Sequence, residues 1–402
     1  MAKTLLIVSG GIEAAGAVKR AREMGHYVVV SDSDYQAPAV ALADSCLIAD
    51  VHGASETAAA AERFSRKIRK IDGVICVGAD AAMTAATVAK RLGLPGISLA
   101  AAELASDRLA LRRRFVECGI PVPWFSEVET PQALQRIAVE RGPDLLIKPV
   151  DGHGSRGIQH VAQVADLSKA FMFARAHSPS ERVMVEQYLQ GPRVSTESIV
   201  MDGKCFTPGL VDRNYENLER FAPFIVEDGG DLPSRLPETL LTKVRDVVAS
   251  AAAALGLTHG TLRGDIVVHE GEVFVNEMSP RLSGDFFCTH LHSGVDVVGA
   301  AIKIALGDQV SAEDLIPKHG LAVIQRYAFP KAGEVVSVAG VEDARRIAGV
   351  NDVILTAKPG DIIPAAGDER PSAAMVLTSG TSRDAALRAA NDALNCLKFA
   401  IK

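Results

Sequence analysis

The chain has 402 residues, 43 Lys and Arg against 49 Asp and Glu, and a formal net charge of −6. That length allows two or three domains with sizeable cores, and the mildly acidic balance leaves no electrostatic footprint for nucleic acid. The longest basic run, Arg112–Arg114, reads as a solvated helix face.

Six cysteines are scattered with no CxxC, a pattern that fits reduced thiols better than disulfides or a zinc site. There is no apolar run of about 18 residues to cross a membrane. A strand begins almost at once, with no signal peptide ahead of it. A cytoplasmic enzyme or binding protein is expected, with neither nucleic acid nor membrane as a partner.

In chain order, TLLIV (4–8) forms a buried strand, followed by SGGIEAAG and a helical run over 14–24. The strand YVVVSDSD comes next, then a third strand at GVICVG (73–78). This alternation predicts a parallel sheet with crossover helices. Gly10, Gly11 and Gly16 with Asp32 are like a dinucleotide fingerprint, but the second spacing is GxxxxG, so fold architecture is the preferred explanation. A helix stopped at Gly93 closes this half.

A second unit opens near Ser106 with an N-capped helix ending at Cys118-Gly119. After a helix at 131–141, DLLIKPVDGHGSRGI places Lys148 on a strand and Gly152, Gly154 and Gly157 in the loop behind it. Glycines let backbone amides approach phosphate oxygens, Ser155 adds a hydroxyl donor, and Lys148 supplies a compact positive charge. Residues 182–200 read as strand, turn, strand, and 209–237 as a long polar loop of functional length. A helix over 238–255 follows.

The stretch RGDIVVHEGEVFVNEMSPRLSGD (263–285) reads as a hairpin around Glu-Gly-Glu. Asp265 and Glu277 lie symmetrically about Gly271. An odd-numbered loop would make them cross-strand partners roughly 5 Å apart at Cβ, whereas a two-residue loop would put them on opposite faces. Paired carboxylates need a proton or a cation between them, and Mg²⁺ suits an oxygen site completed by water and nucleotide phosphates. Arg281 would hold an anionic reaction centre beside the metal. The alternative is a solvated hairpin. His290 and His292, read on a strand, share a face; with nothing else clustered beside them, packing or substrate contact is expected rather than zinc. The last stretch, 316–402, carries short strands and an Ala-rich helix, a small α+β module.

Taken together, these pieces resemble the ATP-grasp superfamily over essentially the whole chain. The order is a Rossmann-like leading domain, an Asp-Arg helix, a strand Lys with a glycine-rich loop, a hinge, and a carboxylate pair followed by Arg. VDR (211–213), a loop ending DLPS (231–234) and SPRLSGD (279–285) are similar to carboxylate–amine ligases that include the L-amino acid ligases. The resemblance implies an α/β and α+β ATP-grasp fold: a Rossmann-like preATP-grasp domain at 1–105, an ATP-grasp domain at 106–315 with a lid at about 116–182, and a C-terminal module at 316–402.

Position by position, the resemblance implies that Arg108 stands at a phosphate-binding Lys. Lys148 is the nucleotide Lys, and Gly154, Ser155 and Gly157 belong to the phosphate lid. Glu186, Gln187 and Leu189 are the hinge that recognises adenine. Arg193 replaces a ribose-binding Glu, and Glu197 is the second Glu of that motif. Asp265 and Glu277 are the Mg²⁺ ligands, Ser279 replaces an Asn ligand, and Arg281 steadies the acyl phosphate. Glu227, Ser283 and Gly284 face substrate. The dipeptide ligases carry a His where this chain has Gly230, which argues against carrying dipeptide specificity over. The implied activity is ATP-dependent joining of a small carboxylic acid, amino acids included, to an amine, with Mg²⁺ or Mn²⁺ and a homodimer by fold analogy. The alternatives are a phosphotransferase on the same fold, a non-catalytic nucleotide-binding protein, a NAD-dependent oxidoreductase and a biotin-dependent carboxylase relative.

Overall fold

The structure is a computed structural model that describes residues 2–284, 286–364 and 372–402. Asp285, the last residue of SPRLSGD, lies outside the described residues.

Strands β1 (Thr4–Val8), β2 (Tyr27–Asp32), β3 (Ser45–Ile48) and β4 (Gly73–Cys76) form a parallel sheet in the order β3-β2-β1-β4. Alternate residues of β1 feed two cores. Leu5 and Ile7 pack with Ala301 and Ile302, while Leu6 and Val8 pack with Ala58, Phe64 and Val88. Burial on both faces explains the unbroken apolar run of TLLIV. β3 was not expected; its four residues are too few to show a pattern. The chain reverses its direction of strand addition between β1 and β4, and ligands bind α/β sheets at such a switch point. Asp32 turns inward, its Oδ2 accepting the Gly10 N–H at 2.7 Å. The glycines there serve the fold.

Strands β5 (Phe125–Val128), β6 (Leu145–Pro149), β7 (Gln159–His160) and β8 (Val183–Gln187) make an antiparallel sheet ordered β5-β8-β6-β7. The remaining strands are β9 (Arg193–Met201), β10 (Lys204–Asn214), β11 (Gly229–Leu232), β12 (Gly260–His269), β13 (Glu272–Ser279), β14 (Ala322–Ala328), β15 (Gly333–Ala339), β16 (Val350–Leu355), β17 (Ile362–Ile363), β18 (Ala374–Gly380) and β19 (Lys398–Ile401). Eight of them form one sheet, β13-β12-β9-β10-β11-β14-β18-β16, and three form a small one, β17-β15-β19. Helix Glu238–Ala254 covers the central sheet, burying Val244, Val248 and Ala251 against Val194, Leu262, Ile266 and Val275.

Two sequence expectations are corrected. The polar loop at 209–237 is largely built structure: β10 runs to Asn214, a helical turn spans Leu218–Phe221, and β11 follows. A Cβ at Gly230 would sit 2.7 Å from Val211 Cγ1, so only a bare backbone packs there. His290 and His292 lie on helix Phe286–Ser293, not on a strand. Their Nδ1 atoms contact the carbonyls of Val295 (3.3 Å) and Leu321 (2.5 Å), which is packing. In the C-terminal stretch, β14, β18 and β16 continue the central sheet, and β15, β17 and β19 form the small one. The Asp231 carboxylate pins the junction, receiving Asn214 (2.9 Å), Arg326 (2.7 Å), Arg235 (2.6 Å) and Arg383 (2.8 Å).

Candidate functional site

The hairpin closes with the two-residue loop that should have separated its carboxylates. His269 pairs with Glu272, and Glu270 and Gly271 both take positive φ (50° and 82°), as a type I′ turn requires. A bulge then reverses the consequence. Ile266 pairs with Val275 but Asp265 pairs with Glu277, so Asn276 is an extra residue that slips the register by one. Asp265 and Glu277 end as direct partners, half-buried on one face.

Arg112 holds this bulge. Its guanidinium donates to the carbonyls of Val275 (2.9 Å) and Asn276 (2.5 Å), and only 4% of the residue is exposed. The expectation of a solvated Arg112–Arg114 face is thereby corrected: Arg112 points into the protein, while Arg113 and Arg114 lie at the surface. Arg112 also pairs with Glu186 at 2.9 Å, and Glu186 in turn receives the Lys148 ammonium. Burial alone would push the Glu186 carboxyl up, but Lys148 and Arg112 outweigh it and hold the pKa at about 2. Burial lowers the Lys148 pKa, with Glu186 opposing.

Asp265 and Glu277 have cationic neighbours of their own, Arg263 at 2.8 Å and Arg108 at 3.5 Å. Among the described residues no group of three or more His, Cys, Asp or Glu forms a metal cage. Two facing carboxylates in an open cleft fit Mg²⁺, which takes one or two such ligands and fills the remainder with water and phosphate oxygens.

The phosphate side is built on β6. Lys148 projects from it, and the following loop carries adjacent left-handed residues, Gly154 (φ 65°) and Ser155 (φ 62°), both lining the cleft. Gly157 has φ 77°, and a Cβ there would meet His177 Cβ at 2.8 Å. Arg108 is tied to the same loop, donating to the carbonyls of Pro149 (3.1 Å) and Gly152 (2.9 Å). His153 stacks on His52 of the N-terminal sheet region at 4.2 Å, and burial lowers its pKa.

Arg281 is 8% exposed and donates through Nε (2.7 Å) and Nη2 (2.6 Å) to Asp80, on the turn after β4. Burial would raise the Asp80 pKa, but Arg281 more than offsets it and keeps the group well below the usual carboxylate range. Glu13, from the turn after β1, faces the same cleft. It sits so close to Gly78 and Gly284 that a Cβ at either would lie 2.5–2.6 Å from its carboxylate. Glu227 pairs with Arg213 at 2.6 Å, and the Tyr215 hydroxyl is pushed up by burial and then by Glu227. Arg193 lies over the rings of Tyr188 (5.1 Å) and Tyr215 (5.6 Å).

One cleft of about 180 Å³ collects Arg108, Lys148, Gly154, Ser155, Glu227, Asp265, Glu277, Arg281 and Gly284. Gly157, Glu186, Gln187, Leu189, Glu197 and Ser283 are not among its lining residues. Glu186 supports Lys148 from below, Gln187 is exposed and Leu189 is buried. Glu197 accepts both the amide (3.2 Å) and the hydroxyl of Ser283, which shapes the Arg281 loop from behind. A larger cavity of about 640 Å³ lies behind Arg281 at the β4 edge, but its lining is mostly apolar. The charged constellation marks the smaller one.

Sequence reading missed Asp80, Glu13, Arg112, Arg263 and Asn276. Asp80 and Glu13 follow parallel strands β4 and β1 at the switch point, a topological signal that becomes visible once those strands are placed. Arg263 stands two residues before Asp265 on one strand, hence on the same face.

Three family models cover most of the chain: ATP-grasp N-terminal domain at 18–96, Carbamoyl-phosphate synthase L chain, ATP binding domain at 107–313, and L-amino acid ligase C-terminal domain 2 at 326–402. An uncharacterized protein of Sinorhizobium fredii is 27% identical over 331 residues, covering 80% of this chain and 67% of that one. The carbamoyl phosphate synthase large chain of Thermomicrobium roseum is 26% identical over 64% of this chain, which spans only 24% of that protein. An L-amino acid ligase from Bacillus licheniformis, a crystal structure, superposes with a TM-score of 0.83 at 19% identity, over 100% of this chain and 99% of that one. No described helix is long and apolar enough to cross a membrane. With its central ATP-binding domain matched over residues 107–313, just over half of its length, the chain belongs to the ATP-grasp family.

Proposed function

We propose that this chain is an ATP-dependent carboxylate–amine ligase that makes an amide through an acyl phosphate. The observation that carries the reading is the bulged pairing of Asp265 with Glu277 in the same cleft as Lys148, the Gly154–Ser155 turn and Arg281. Bound between Asp265 and Glu277, Mg²⁺, or Mn²⁺ in its place, would supply charge neutralisation at the transferred phosphoryl group.

The chain's own groups serve two steps. In the first, a substrate carboxylate oxygen attacks the γ-phosphorus of ATP and the bond to ADP breaks. Lys148, Arg108 and the amides of Gly154 and Ser155 balance charge on the phosphates, and their preorganisation costs no rearrangement at the moment of transfer. In the second, an amine attacks the acyl carbon, phosphate leaves, and the amine loses a proton. Arg281 stabilises the oxyanion that forms on the way, and removing such a donor typically costs ~10²–10³ in rate. Glu227 and Gly284, which line the same cleft, are assigned to substrate.

The acid and the amine are small molecules, amino acids among them, and Gly230, where the dipeptide ligases carry a His, argues against dipeptide specificity. A His at position 230 has no room, because even a Cβ there meets Val211. Residues 1–105, 106–315 and 316–402 are the working domains of this reading, with 116–182 as the lid. The enzyme is cytoplasmic, in keeping with six free cysteines, and by fold analogy a homodimer.

The test is phosphate release from Mg-ATP across a matrix of carboxylic acids, each with and without pooled amines, for wild type and Glu277→Ala. Release requiring both substrates, and lost in the variant, is expected. A phosphorylated product formed from one substrate would make the protein a phosphotransferase. ATP binding without release across the matrix would make it non-catalytic.

A further inference from the structure

Arg281 and the glycine-rich loop come from different parts of the chain, yet one carboxylate reaches both. Asp80 Oδ1 receives Nε and Nη2 of Arg281 at 2.7 and 2.6 Å, and Asp80 Oδ2 faces the Gly154 N–H at 3.3 Å. The third arm of Arg281, Nη1, donates to the Leu282 carbonyl at 3.1 Å, so the guanidinium is held on both sides. A fork of two guanidinium N–H groups plus a loop amide is the donor pattern that proteins present to phosphate. Here a side chain of the protein receives it. Gly154 is also the first of the two left-handed residues that line the cleft, so the contact engages the cleft-facing part of the loop. His153 stacked on His52 closes the loop onto the same N-terminal region.

We propose that Asp80 is a positioning residue that acts as an internal counter-anion: with no nucleotide bound it holds Arg281 and the Gly154 amide where a phosphoryl group is later received. Incoming phosphate takes over the Gly154 amide, while the two-pronged pair with Arg281 stays and keeps that guanidinium aimed at the reaction centre. A negative charge in the phosphate cradle opposes ATP, and a charge that aligns Arg281 favours the chemistry. Loss of the charge therefore moves binding and turnover in opposite directions, which a merely structural role would not do. The kinetic part rests on the ligase reading above; the binding part does not.

The experiment compares wild type, Asp80→Asn and Asp80→Glu. ATP and ADP affinity are measured by calorimetry without substrates, and amide formation by steady-state kinetics. For Asp80→Asn, which keeps the shape and loses the charge, ATP affinity rises about tenfold from relief of a nearby like charge. Its kcat falls on the order of 10²-fold as Arg281 loses its alignment. Asp80→Glu retains the charge and binds ATP more weakly than Asp80→Asn. ATP affinity that is unchanged or reduced in Asp80→Asn overturns the proposal. Peptide-resolved hydrogen exchange on the nucleotide-free wild type gives a reading that needs no variant: the 152–157 loop is protected, and exchange at the rate of an open loop overturns the contact. Wild type that binds ATP but forms no amide refutes the ligase reading and leaves the binding result standing.

Discussion

Glu186 shows how much a single buried carboxylate does for this site. It is 1% exposed, takes Lys148 on one oxygen and Arg112 on the other, and has a pKa near 2. A folded-state pKa below the ordinary value of 4.5 stabilises the fold at every pH above about 4.5, and that contribution is lost as pH falls toward 2. Glu186→Gln leaves two buried cations short of their partner and should cost roughly 3–5 kcal/mol at pH 7. Denaturant unfolding checks this: the gap between wild type and variant narrows as pH drops from about 4.5 to about 2. A gap that is constant with pH would mean that the pair is not ionised as described. The family resemblance placed Glu186 in the adenine hinge. Its partners lie 38 and 74 residues away and meet it only in the folded sheet. Lys148, Asp265, Glu277 and Arg281, singled out in the sequence, are brought together in one cleft.

At the scale of elements, the hairpin depends on a bulge that the sequence does not announce. Alternation and the Glu-Gly turn mark both strands, but an extra residue changes neither composition nor pattern enough to be read. What fixes it is the Arg112 guanidinium, from helix Arg108–Glu117. Arg112→Met fills the volume of Arg112 but leaves the carbonyls of Val275 and Asn276 without those donors. The expected result is a 10–100-fold loss of Mg²⁺ affinity, the size typical of groups that orient metal ligands from behind, read as a rise in the Mg²⁺ concentration needed for half-maximal activity. An unchanged Mg²⁺ requirement would show that the bulge holds without Arg112. β11 escaped sequence reading for a related reason: Gly-Gly signals a break, whereas here it lets three strands approach closely. The helix carrying His290 and His292 escaped it because eight residues give little helical period to detect.

The whole molecule converges on one cleft. The N-terminal sheet brings Glu13 and Asp80, the β5–β8 sheet brings Lys148 and the glycine loop, and the central sheet brings Asp265, Glu277 and Arg281. This architecture was legible from the order of motifs along the chain. The joining of C-terminal strands to the central sheet through Asp231 was not, because short strands say nothing about which sheet they enter. The central claim is that the converged charges activate a carboxylate by phosphorylation. Its most direct test is to supply the acid labelled with ¹⁸O in both carboxylate oxygens, add Mg-ATP and amine, and weigh the released phosphate by mass spectrometry. Passage through an acyl phosphate leaves one labelled oxygen in each phosphate; amide formed alongside unlabelled phosphate would contradict the account.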